Sequence, residues 1–177
     1  WCAWGDWTVV GIFNPDETAT APATLPLDRL DLDPANTWLA YDFWKECFHG
    51  EVTGELKVTV PPASVTLLAL RRKHGVPQVL STDRHVLQGK IELETVSWNP
   101  QTTTLSGVSL GPVGSAHHVA IYVPTAHPWR QGGHALFHDQ PGFTVRMVED
   151  HVLRLRVRFE QTPRVAWRIP FGGLFRA

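Results

Sequence analysis

Cysteine is scarce in this chain, two residues in 177, so no disulfide framework organises it; Cys2 and Cys47 are read either as a pair or as idle thiols. Charge of one sign is lacking as well. Sixteen lysines and arginines against 17 aspartates and glutamates leave a formal net charge of −1, which gives no global pull toward nucleic acid or an anionic membrane. No apolar run reaches the roughly 18 to 20 residues that cross a bilayer, and the first residues show neither a basic stretch nor a long apolar one, so a soluble chain without a membrane partner is expected. The sequence also lacks a G-x-G-x-x-G turn and a Walker pattern, the usual signs of a dinucleotide enzyme and a nucleotide phosphatase. Methionine occurs once, at Met147, and the chain opens on Trp1, which fits a piece excised from a longer polypeptide or a processed chain.

What is present is short apolar runs bounded by Gly, Pro, Asn and Asp, with no sustained helical period. Trp7 to Phe13 is apolar on both faces, which predicts a central strand ending at Asn14-Pro15-Asp16. Glu55 to Val60 alternates, with Leu56, Val58 and Val60 on one side, and Pro61-Pro62 stops it. Ser64 to Leu70 has the density of a core strand. The basic stretch Arg71 to Pro77 reads as a connector between domains. Beyond it, strands are expected at Lys90–Trp98, Thr104–Leu110, His118–Val123, Phe143–Val148, Val152–Phe159 and Val165–Ile169, and the parity of the apolar set changes near Thr95, which predicts a bulge. The fold class is therefore all-β, two tandem antiparallel β-sandwich domains of Greek-key or immunoglobulin-like type, over 1–73 and 77–177.

Several constellations invite chemistry. His127, His134 and His138 lie close in sequence, but Pro128, Gly132 and Gly133 argue for a loop, and no Cys or paired carboxylate completes a zinc set; neither metal nor any other cofactor is expected. His117 and His118 are adjacent, so their rings face opposite ways. Glycosidase catalysis needs two flanking carboxylates, whereas Asp16, Asp28, Asp31, Asp33, Asp42 and Asp83 sit mostly in turn-like stretches, where a carboxylate commonly holds the turn itself. Arg154, Arg156 and Arg158 share one face of a strand, and Arg164 and Arg168 share the solvent side of the next. If the two strands pair, five guanidinium groups gather; they then either meet an acidic neighbour such as the Lys90-Glu92-Glu94 face or dock on another domain. Nucleic acid is not an expected partner. Of eight tryptophans, Trp7, Trp98 and Trp167 fall on core faces, while Trp38, Trp44 and Trp129 lie near turns and are the candidates for stacking on a sugar, with burial as the competing reading.

Particular words carry a resemblance. Trp7–Asn14 (WTVVGIFN), Leu25-Pro26-Leu27, Tyr41-Asp42-Phe43-Trp44, and Val60–Val65 (VPPASV) with Leu67–Leu70 (LLAL) are similar, in order and spacing, to the C-terminal β-sandwich of clan D glycoside hydrolases, the α-galactosidase (melibiase)-like enzymes. Leu80–Gly89 (LSTDRHVLQG) resembles the segment after that sandwich in bacterial members. The resemblance implies a catalytic (β/α)₈ barrel N-terminal to the sandwich that holds the catalytic aspartates. No segment here matches that barrel, so no catalytic residue is carried over. The resulting expectation is a non-catalytic accessory β-domain fragment that braces or caps a barrel in the same parent polypeptide, with no hydrolase activity alone. The competing expectation is a carbohydrate-binding module using exposed Trp side chains.

Overall fold

The computed structural model describes residues 7–129, 139–140 and 142–172. The chain divides into two compact units, one formed by Asp6–Lys73 and the other from His74 onward.

The first unit contains β1 (Trp7–Asn14), β2 (Ala21–Pro26), a 3-10 turn (Leu27–Leu30), β3 (Trp38–Asp42), β4 (Cys47–Val52), β5 (Glu55–Val60) and β6 (Ser64–Arg72). They form a four-stranded antiparallel sheet in the order β1-β6-β3-β4, faced by the ribbon β2-β5. The alternation read in Glu55–Val60 is realised: Leu56, Val58 and Val60 point inward against Val10, Trp38, Ala40, Leu68 and Leu70 of the larger sheet. Each buried Leu or Val among them contributes about 1.5–3 kcal/mol. β6 is apolar on both sides because it lies between β1 and β3. β1 departs from expectation. Among the described residues it pairs with β6 alone, so it is an edge strand rather than a central one, and its second apolar face leaves Phe13 77% exposed.

The end of β1 is stitched to the end of β5 by one side chain. Asn14, buried, donates from Nδ2 to the carbonyls of Ala19, Val60 and Pro61 at 2.8, 3.1 and 3.0 Å, and its Oδ1 accepts the Asp16 N–H at 3.1 Å. A buried carbonyl without a partner is costly, so this residue fixes where two strands from different sheets meet.

The second unit contains β7 (Gln78–Thr82), β8 (Leu93–Asn99), β9 (Thr104–Leu110), β10 (Ala116–Tyr122), β11 (Asp139–Gln140), β12 (Phe143–Glu149), β13 (Val152–Arg158) and β14 (Arg164–Pro170). Sheet β11-β12-β13-β10-β7 packs on sheet β14-β9-β8. Val119, Ile121, Leu153, Leu155 and Val157 from one meet Leu93, Leu105, Trp167 and Ile169 from the other. The parity change near Thr95 corresponds to a bulge between Leu93 and Thr95, which lets Leu93, Val96 and Trp98 all reach this core. β8 starts at Leu93, not at Lys90. The reason is Glu92, which is buried and accepts from the Thr82 hydroxyl and the Gly89 N–H, both at 3.2 Å, holding the preceding residues in a turn.

The two arginine strands do not pair with each other. β13 pairs with β10 and β12, and β14 pairs with β9. The segment 159–163 carries the chain from one sheet to the other. Both strands present their apolar faces to the same core, so Arg154 and Arg156 project from one side of the sandwich and Arg168 from the opposite side, while Arg158 and Arg164, flanking the crossover, line one cleft with Glu160.

Candidate functional site

The tryptophan candidates separate by burial. Trp38 opens β3 with its ring in the core, 9% exposed, and its indole Nε1 donates to the Asp33 carbonyl at 3.0 Å; it offers no face to a sugar. Its nearness to a turn in sequence is misleading, because the turn folds over the indole. Trp129 is partly buried against the core of the second unit. Trp44, in the turn between β3 and β4, is 59% exposed and packs edge-on against Phe43 with ring centroids 4.8 Å apart.

Trp44 has company that the sequence did not announce. β3 and β1 flank β6 in register, with Asp42 opposite Leu68 and Phe13 opposite Val65, so Phe43, Trp44 and Phe13 all lie at one end of the four-stranded sheet. A shallow hollow of about 420 Å³ beside Phe13 is lined by Pro15, Ala63 and Val65. The signal for Phe13 was the double-sided apolar run of β1, read as a sign of a central strand when it marks an edge with an uncovered face.

The carboxylates resolve mostly into turns. Asp16 accepts from the backbone of Ala19 and Thr18 and from the Thr18 hydroxyl, which together hold its carboxyl below the usual 3.8. Asp33 accepts from the Ala35 N–H and the Asn36 side chain, and Asp42 from the Lys45 N–H. Among the described residues, one cleft carries a single carboxylate, Glu160, and two others carry none. None presents the facing pair that glycoside hydrolysis uses.

The arginines disperse by partner. Arg164 Nε pairs with Glu94 at 2.7 Å and Arg158 Nε lies 3.3 Å from Glu160. The expected acidic face is not continuous: Glu92 points inward and Glu94 outward. Arg154 and Arg156 instead gather with a residue that sequence reasoning passes over. Hairpin β12–β13 places Arg146 directly opposite Arg154 and Thr144 opposite Arg156, while β10 places His118 on the far side of Arg156. These side chains line a cleft of about 240 Å³. Asp83 holds His118 in place, accepting its backbone N–H at 2.8 Å and its ring Nδ1–H at 2.6 Å. The solvent parity of Thr144 and Arg146 is readable in the sequence once the tight turn 150–151 is seen to pair β12 with β13.

His117 points the other way, into the core. Its Nε2 lies 3.1 Å from the Ser109 hydroxyl, which also accepts the Trp167 indole N–H at 3.0 Å. Burial drives its pKa from 6.5 down to about 4, with Arg84 and His118 pushing the same way against the opposing charge of Asp83. Among the described residues no group of three His, Cys, Asp or Glu side chains converges as a metal site. His134, His138 and Cys2 lie outside the described residues, and Cys47 opens β4.

Comparison with known proteins finds one family. Residues 3–70 match the alpha galactosidase C-terminal beta sandwich domain. No curated protein and no solved structure matches the chain. The matched segment spans β1 through most of β6, the sandwich whose ordered words carried the resemblance. Over residues 3–70, then, this chain is similar to the C-terminal β-sandwich domain of α-galactosidases.

Proposed function

We propose that the first unit is a non-catalytic brace, docked through the Phe13 and Trp44 end of its larger sheet onto the catalytic barrel of the α-galactosidase-like polypeptide to which the chain belongs. The observation that carries this reading is the exposure of two large aromatic rings at one sheet end, 77% for Phe13 and 59% for Trp44, beside an apolar hollow. Exposed apolar patches mark docking faces.

In a polypeptide that includes the barrel, Phe13→Ser with Trp44→Ser should lower the thermal midpoint of galactosidase activity by several degrees, while changing the unfolding of the 177-residue chain alone by under about 0.5 kcal/mol. An unchanged activity midpoint would sink the docking face. The competing reading, a carbohydrate-binding module, is favoured by Trp44 alone, whose ring is open enough to stack on a pyranose. Titration of the isolated chain with galactosides separates the two. Saturable Trp quenching abolished by Trp44→Ala establishes sugar binding, and the brace predicts none. Turnover of an aryl α-galactoside by the isolated chain would overturn the non-catalytic assignment.

A further inference from the structure

The cleft on the outer face of the five-stranded sheet has the composition of an anion site. Its lateral rows are set by strand register: Thr144, Arg156 and His118 in one, Arg146, Arg154 and Ala120 in the next. Directly opposed side chains on neighbouring strands have Cβ atoms about 5 Å apart, and like charges so placed repel. Arg146 opposite Arg154, with Arg156 one rung away, concentrates positive charge on this face. No carboxylate occurs among the described residues that line the cleft. Arg146 and Arg156 are both exposed, so their planar donor forks are available to a ligand. The remaining wall is fixed in advance, since Asp83 takes the Nδ1–H and the backbone N–H of His118, which lines the cleft.

We infer that this cleft binds an oxyanion group carried by an acidic saccharide, a uronate carboxylate or a sulfate ester. The oxyanion follows from the arginine forks. The saccharide carrier rests on the hydrolase reading above and on two features of the cleft. Its volume of about 240 Å³ falls below the roughly 300–1,000 Å³ of drug-sized pockets, which suits one ring rather than a length of peptide or nucleic acid. Thr144 and His118 also place neutral hydrogen-bonding groups beside the cations, matching a ring that carries hydroxyls next to a single negative group.

The test is a titration of the 177-residue chain at low ionic strength, followed by NMR of the arginine and histidine side chains. The probes are galacturonate, galactose 6-sulfate, neutral galactose, inorganic sulfate and a short polyglutamate. Saturable shifts of His118 and Arg156 with either acidic sugar, at a Kd of order 1 mM or tighter, are expected. Neutral galactose should leave those signals unmoved. Arg156→Gln should weaken binding about tenfold, whereas Arg168→Gln, on the opposite sheet, should leave it unchanged. Circular dichroism checks that both variants keep the fold. Competition by inorganic sulfate supports the oxyanion subsite. The inference is overturned if sulfate binds and neither acidic sugar does, if polyglutamate alone saturates the cleft, or if the two variants weaken binding equally. Failure of the brace reads out at Phe13 and Trp44 instead, so the two ideas fall separately.

Discussion

One hydroxyl holds together two aromatic side chains in the core of the second unit. Ser109 Oγ accepts the Trp167 indole N–H at 3.0 Å and sits 3.1 Å from His117 Nε2, and all three residues are at most 2% exposed. A hydroxyl has one hydrogen and two lone pairs, enough to accept from the indole and donate to the imidazole. Ser109→Ala leaves both ring nitrogens buried without those partners, at about 1–3 kcal/mol for each group. The variant should lose about 3 kcal/mol in urea unfolding, and a loss under about 0.5 kcal/mol would show that the network relaxes without cost. None of this is legible in the sequence. The opposite facing of His117 and His118 is readable from their adjacency, but that Ser109 meets His117 depends on two sheets packing face to face. Trp38 and Trp44 make the same point: both lie near turns in sequence, and only the packing buries one and leaves the other open.

Strands follow the same division between local pattern and distant partner. β5, β9, β12 and β13 are legible nearly to the residue, because alternation or a continuous apolar run bounded by turn residues is a local signal. β3 is missed because all five of its residues are buried and nothing alternates, and β4 because His49 and Gly50 interrupt it at a shift in register. Pairing is harder still. β13 and β14 are neighbours in sequence yet belong to different sheets, which no periodicity reveals. The packing of β9 against β14 rests on a close approach, for Gly107 lies opposite Trp167, and a Cβ there would come within 2.4 Å of the indole and 2.8 Å of the Thr95 carbonyl. The carbonyl is backbone and cannot move aside. Gly107→Ala should therefore cost at least about 3 kcal/mol, or abolish folding of the second unit, and a variant within about 1 kcal/mol of the parent would contradict the packing. In the first unit, Asn14→Ala strips three carbonyls of their donor, and a loss of about 2 kcal/mol is expected by thermal or urea unfolding.

Each unit encloses a hydrophobic core of its own, and one titrating group distinguishes them. His117 belongs to the second core. Its folded pKa of about 4 lies below the 6.5 of the unfolded chain, so between those values the unfolded state binds the extra proton. Stability of the second unit must then rise with pH across that window and fall as pH drops from 6.5 to 4, by up to about 3 kcal/mol. In the first unit, Asp16 is held below 3.8, so what it contributes persists through the window and is lost only at lower pH. Hydrogen exchange, corrected for the intrinsic pH dependence, should show amide protection in β9, β10, β13 and β14 falling about a hundredfold from pH 6.5 to pH 4. Protection in β3, β5 and β6 should change far less. His117→Gln should flatten the response, since glutamine takes up no proton in that range. An equal fall in all seven strands would mean that the units open as one, and a response that survives His117→Gln would place its origin elsewhere.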